Sequence, residues 1–287
     1  MKKQYLIYPL ILLWISACSD STDQQTGPDA APQIPQQSVA EPAAKPVENI
    51  PEILDVFNVG PTVFVRSLAI EADRNRLWVG TSLGVNEIDL DNNNLVNTFT
   101  RDHGLANEYV FGIGIDADGY KWFGTNAGGM SRYRNGEWKT YFPMHGLADY
   151  WIYSFANDPD GGLWIGTWAG ANYLDRKTDE FKTYVKELIN EWVYGISVDS
   201  KGVVLFCTEG GISRFDGESW QSWDHDDGMG GENPDALPFS RNTGLGTRSR
   251  HDLGILTGGK PTYNPNYVFS ILADHEDSIW AGTWGGG

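Results

Sequence analysis

Five histidines, two cysteines and a surplus of carboxylates are the groups in this 287-residue chain best suited to chemistry. None of them falls into a catalytic spacing. There is no G-x-S-x-G nucleophile elbow, no H-E-x-x-H helix, no Gly-rich phosphate loop and no paired-cysteine metal motif. His103 and His145 occupy matching D-H-G-L and M-H-G-L contexts, which points to a loop position shared by duplicated units. Asp116-Ala-Asp-Gly119 and Asp158-Pro-Asp-Gly161 open like calcium loops but lack the later oxygen ligands, so they read as tight turns. Asp224-His-Asp-Asp-Gly228, with Glu232 and Asp235 beyond it, is a denser oxygen cluster of loose spacing. These patterns call for no metal, no cofactor and no catalytic residue.

What remains is binding chemistry, in carboxylates and amides set beside aromatic rings. Glu108-Tyr109, Asp149-Tyr150-Trp151, Glu191-Trp192 and Asn266-Tyr267 recur at wide intervals, and Asn126, Trp168, Glu209 and Trp284 recur between them. Rings that stack and carboxylates that accept hydrogen bonds suit a sugar or a cationic small molecule, provided the fold brings them to one place. The alternative is that Tyr109, Trp151, Trp192 and Tyr267 wedge between structural units while the carboxylates are merely solvated.

The element that would gather them is a repeat. W-V-G-T starts at Trp78, W-F-G-T at Trp122, W-I-G-T at Trp164 and W-A-G-T at Trp280, with a degenerate L-F-C-T at Leu205. The threonines Thr81, Thr125, Thr167, Thr208 and Thr283 are 44, 42, 41 and 75 residues apart. The last step is one repeat plus an insertion of about 33 residues, and a period of roughly 40–45 residues with internal turns predicts a β-propeller with four strands to a blade. In the second unit the strands are expected over residues 109–115, 122–125, 130–133 and 138–141, with turns at Asp116–Gly119, Asn126–Gly129 and Arg134–Gly136. Sheets this small cannot stand alone, and stacking them face to face explains a large aromatic residue in every unit. In such a ring the segments entering the inner strands and the turns after the second strands share one face, so the acidic and aromatic positions above form a rim.

The chain is thus read as all-β, with about five blades visible over residues 50–287 and the last one incomplete. An inserted loop at about 224–266 carries Arg241, Arg248, Arg250 and His251. Ile53-Leu-Asp-Val-Phe57 resembles an outer strand with no inner strands before it, and the sequence ends at Trp284-Gly-Gly-Gly287 within a turn. The expectation is the front part of a longer ring, in which residues 53–57 complete a C-terminal blade.

The N-terminal 17 residues read as an address. Met1-Lys-Lys3 is basic, and Leu6 to Ile15 is apolar but too short to span a bilayer. Ile15-Ser-Ala-Cys18 resembles the lipobox of bacterial lipoproteins, which implies that Cys18 becomes a lipid-modified N-terminus. Ser19 in the next position favours the outer membrane, facing the periplasm. Residues 18–49, rich in Pro, Gln, Ala and Ser, read as an extended tether. With 21 Lys and Arg against 38 Asp and Glu, the chain would be repelled by nucleic acid and acidic lipid, so membrane contact is expected through acyl chains alone. Cys207, standing where other repeats carry Gly80, Gly124, Gly166 and Gly282, reads as a buried inert thiol.

The unit V-F-x-I-x-x-D-x-x-G-x-x-W-x-G-T-x-x-G-G-x-x-R-Y from Val110 to Tyr133 resembles the two-component regulator propeller repeat, and residues 152–174, 193–215 and 268–287 match it in part. The resemblance implies a ring of seven blades, as in the periplasmic sensor portion of hybrid histidine kinases, some of which recognise oligosaccharides. No kinase, receiver or transmembrane segment is visible here. The function expected is therefore a non-enzymatic, lipid-anchored binding module for a small molecule, carbohydrate included, or for an envelope protein. Two rivals stand beside it. One is a propeller lyase or hydrolase using the central mouth, with His225 and His251 near a metal. The other is a scaffold in an envelope complex.

Overall fold

The computed structural model describes residues 59, 62–233, 235–238, 263–276 and 278–283, all within a compact unit spanning Asp55–Gly287. Cys18, the leader, the tether, residues 53–57, Trp284 and residues 239–262 lie outside the described residues. Blade I consists of β1 (Val65–Glu71), β2 (Arg76–Thr81), β3 (Gly84–Asp89) and β4 (Asn94–Phe99). Blade II consists of β5 (Val110–Ile115), β6 (Lys121–Thr125), β7 (Met130–Arg134) and β8 (Glu137–Tyr141). Blade III is β9 (Ile152–Asn157), β10 (Leu163–Thr167), β11 (Gly170–Asp175) and β12 (Glu180–Tyr184). Blade IV is β13 (Val193–Val198), β14 (Val204–Thr208), β15 (Gly211–Phe215) and β16 (Trp220–Trp223). Blade V is described as two strands, β17 (Val268–Ala273) and β18 (Ile279–Thr283). Every sheet is an antiparallel meander in chain order, and the inner strands β1, β5, β9, β13 and β17 are neighbours in that sequence.

Each letter of the repeat has a job. The tryptophan indole donates to the acid that opens the first turn: Trp122 Nε1 to Asp116 Oδ2 at 2.8 Å, Trp164 to Asp158 at 2.9 Å, Trp280 to Asp274 at 2.8 Å and Trp78 to Glu71 at 3.0 Å. The other oxygen of Asp116 accepts from the backbone N–H groups of Asp118 and Tyr120. These acids therefore fix turns and indoles. The threonine closes the second turn, as Thr125 Oγ1 donates to Gly129 O at 2.8 Å and Thr167 Oγ1 to Gly170 O at 2.7 Å. The glycine admits the next blade, since a Cβ on Gly124 would lie 2.6 Å from Ile152 O. In blade IV the sizes are exchanged. Cys207 fills the glycine slot, and its partner on the inner strand is Gly195, where a Cβ would lie 2.7 Å from the sulfur. Burial pushes the Cys207 thiol up to about 12, which leaves it inert at neutral pH.

Blades bury one another's aromatic faces. Trp78 packs on Phe123 of blade II and Trp164 on Phe206 of blade IV, with ring centroids 5.9 and 5.4 Å apart. Two junctions also carry cations paired with buried carboxylates. Lys121 of blade II pairs with Glu71 of blade I, and Arg176 of blade III reaches Asp116 of blade II at 2.7 Å. Beyond blade V the pattern changes, as Trp280 is 64% exposed where Trp78, Trp122 and Trp164 are buried, and Leu68 and Ile70 of blade I are exposed as well.

Three features were not legible in advance. A single 3-10 turn follows the outer strands of blades I, II and IV, at Arg101–His103, Pro143–His145 and His225–Asp227. His103 and His145 cap the first two, with Nδ1 accepting from the backbone N–H of Thr100 at 3.1 Å and of Phe142 at 2.9 Å. In blade IV, Asp227 does the same for the N–H of Asp224, whose own carboxylate accepts from Asp226 N, so these two aspartates of the oxygen cluster serve as caps. The insertion's described ends hold each other: Tyr263 OH donates to Gly231 O, Tyr263 N to Pro238 O, and His225 N to Asn266 Oδ1 at 2.7 Å. Among the described residues no helix is long and apolar enough to cross a membrane.

Candidate functional site: the central channel

In all five blades the inner strand skips one residue in its pairing with the second strand. The skipped residues are Arg66, Phe111, Tyr153, Tyr194 and Phe269, one β-bulge per blade at the same repeat position. A bulge leaves its residue out of the ladder and re-aims the side chain, and bulges gather beside functional sites for that reason. Here all five side chains line one cavity of about 420 Å³ between the inner strands. Its wall is a run of rings: Phe111 to Tyr153 at 4.9 Å, Tyr153 to Tyr194 at 5.0 Å and Tyr194 to Phe269 at 5.6 Å.

Sequence reasoning missed this layer. The signal was present, for the residue after the first Val or Ile of each inner strand reads Arg, Phe, Tyr, Tyr, Phe. The residues chosen instead lie two positions earlier in the chain, and the structure sorts them. Asn126 N donates to Tyr109 O and Trp168 N to Trp151 O, so entering segments and second turns do share one face. Trp168 meets Trp151 edge to face, with ring centroids 4.3 Å apart, and lies tilted against Trp192 at 4.8 Å. Yet Trp168, Trp192 and Tyr267 are almost fully buried, so these rings pack between blades beneath the mouth. Tyr109, Trp151, Glu108, Asn126 and Glu191 are half-buried. Glu108 accepts from Arg101 N and buried Asp149 from Trp151 N, which gives both carboxylates a backbone-fixing role.

Glu209 is the exception. It is buried, it accepts from Tyr194 OH at 3.3 Å, and a side-chain hydrogen bond joins it to Tyr267. Burial pushes its carboxyl up to about 8, with the charge of Glu191 adding to the rise and the two tyrosine hydrogen bonds opposing it. Burial likewise raises the phenols of Tyr153, Tyr194 and Tyr267, which stay neutral donors. A carboxyl whose folded value exceeds its unfolded one binds the proton more tightly in the native state. Its contribution is greatest below the ordinary value of 4.5 and is lost as pH rises toward about 8. Glu209→Gln should therefore flatten that part of the stability–pH profile by on the order of 3 kcal/mol. Parallel profiles of Tm against pH for the two proteins would overturn the assignment.

Blades stacked in chain order around a channel define a β-propeller. Residues 146–169 and 262–285 match the family model described as two component regulator propeller, so two segments of the chain resemble that repeat. An extracellular domain from B. thetaiotaomicron described as that of a hybrid two component system superposes with a TM-score of 0.62 at 19% identity, over 78% of this chain and 27% of its own. A second B. thetaiotaomicron extracellular domain, described as that of a one component system, gives 0.54 at 23% identity, over 76% of this chain and 26% of its own. Virginiamycin B lyase from Staphylococcus aureus gives 0.50 at 15% identity, over 76% and 62% of the two chains. At these identities the shared property is the fold. The chain spans about a quarter of the length of the two B. thetaiotaomicron domains. No curated protein matches its sequence.

Proposed function

We propose that this protein is a non-enzymatic binding module of sensor type, lipid-anchored through Cys18 and exposed in the bacterial envelope, which holds a small ligand in its central channel. The observation that carries the reading is the set of five equivalent bulges turning Arg66 and four aromatic side chains into one cavity. A binding site needs side chains of different chemistry held at fixed points, and repeated departures from ideal pairing at a single level supply that. The repeat family and the extracellular relatives support a role in relaying the bound state to a separate envelope protein, a sensor kinase included. The expected setting is the periplasmic side of the outer membrane.

Ligands that bind only the folded state raise its melting temperature. A small-molecule screen dominated by glycans should yield such compounds. Phe111→Ala and Tyr153→Ala should each weaken their binding by about tenfold or more, as expected for losing a stacking ring, while circular dichroism stays native. Undiminished binding in both variants would place the site elsewhere, and turnover of the bound compound would contradict a non-enzymatic role. Anchoring has its own test: Cys18→Ala should move the protein from the membrane to the soluble fraction, and retention would refute the lipid anchor.

A further inference from the structure

Arg66 does not belong to the pattern around it. At the four equivalent bulges the side chain is aromatic; in blade I it is a guanidinium, and among the described residues it is the one charged group lining the cavity. Its Cζ lies 5.2 Å from the centre of the Phe111 ring and 6.0 Å from that of Tyr109. Stacking on rings uses the flat face of a guanidinium and leaves its in-plane N–H donors available for a planar, two-oxygen partner. Among the described residues Arg66 forms no ion pair, although the chain carries 38 acidic residues against 21 basic ones. Glu209, Glu191 and Asp149 do not line the cavity, and burial keeps Glu209 protonated at neutral pH. Tyr153 and Tyr194, each carrying a phenol, line the same cavity.

We infer that the channel's ligand is an acidic sugar of hexuronate type, its carboxylate received by Arg66, its ring stacked on Phe111 and Tyr153, and its hydroxyls met by the tyrosine hydroxyls. This deepens the channel-binding reading and rests on it. A volume of about 420 Å³ admits one or two such rings. The carboxylate is the feature that a neutral sugar of the same shape lacks, so Arg66 sets specificity.

The test is isothermal titration of the full chain with D-glucuronate, D-glucose and benzoate. Glucuronate should bind at least about tenfold more tightly than glucose, a margin expected from one charge-assisted pair in a partly dry site. Arg66→Gln should erase that margin while leaving Tm unchanged, since the side chain is exposed. Arg66→Lys should restore part of it, and added salt should shrink it. Equal binding of glucuronate and glucose, unaltered by Arg66→Gln, would overturn the inference and leave the channel site standing. Preference for benzoate over glucuronate would overturn the hydroxylated-ring assignment. Absence of binding by all three would overturn the inference and the channel reading together.

Discussion

Trp122→Ala should lower the unfolding free energy by about 3–5 kcal/mol, as expected for emptying a fully packed aromatic site. The indole has no exposed surface and packs with Met130, Tyr141 and Leu147 of its own blade and the loop after it, and with Ile152, Leu163 and Ile165 of blade III. Its removal opens a cavity across a blade junction and takes the Nε1–H from Asp116. Asp116 keeps Arg176 and its backbone donors, so no unpaired charge is added and the loss is one of packing. Trp122→Phe should cost roughly 1–2 kcal/mol, because most of the packing survives. Trp280→Ala provides the contrast. It alters the same letter of the repeat in blade V, where the ring is 64% exposed, and should shift stability by less than about 1 kcal/mol. Urea denaturation of the three variants decides the matter; equal losses for Trp122→Ala and Trp280→Ala would mean that burial between blades is not what the tryptophans contribute.

Lys121→Met should cost a similar amount, about 3–5 kcal/mol, for a different reason. The Lys121 ammonium and the Glu71 carboxylate are both almost fully buried at the junction of blades I and II. Burial alone would raise the Glu71 carboxyl, but hydrogen bonds from Lys121 and Trp78 outweigh it and hold the group below its ordinary value. Removing the lysine leaves a buried anion whose remaining cation, Arg74 at 3.5 Å, is half-exposed. Glu71→Gln in the same protein should recover most of the loss. The amide carries no charge and still accepts from the Trp78 indole. If the double variant is no more stable than Lys121→Met, the penalty comes from lost packing of the lysine stem and not from the stranded carboxylate.

The contrast between these residues shows where sequence stops being informative. Trp122 was legible because its neighbours repeat: the acid six residues before it and the threonine three residues after it recur in register, and each has the same bonds in several blades. Lys121 was not. Its counterparts on the other second strands are Leu77, Leu163, Val204 and Ile279, and the other junction cation, Arg176, enters from the hairpin between β11 and β12. Ion pairs at the two junctions thus use unrelated repeat positions, and only coordinates join them. The site divides in the same way. The face shared by Tyr109, Asn126, Trp151 and Trp168 follows from strand order, whereas the bulges do not, because an extra residue in a short strand leaves the hydrophobic alternation nearly intact. Tyr109, Trp151, Trp192 and Tyr267 were more conspicuous than the cavity-lining residues two positions beyond them, and large rings draw attention whether they pack or bind.

The bulges also bear on how such a molecule can change over generations. A residue in the ladder answers to its cross-strand partner, so a substitution there is filtered by the sheet. Arg66, Phe111, Tyr153, Tyr194 and Phe269 are released from that filter at five equivalent addresses of the repeat. Drift at these addresses can retune what the protein recognises while its architecture persists. Duplication then becomes a source of chemical variety, since every added blade contributes one more freely editable position to the lining.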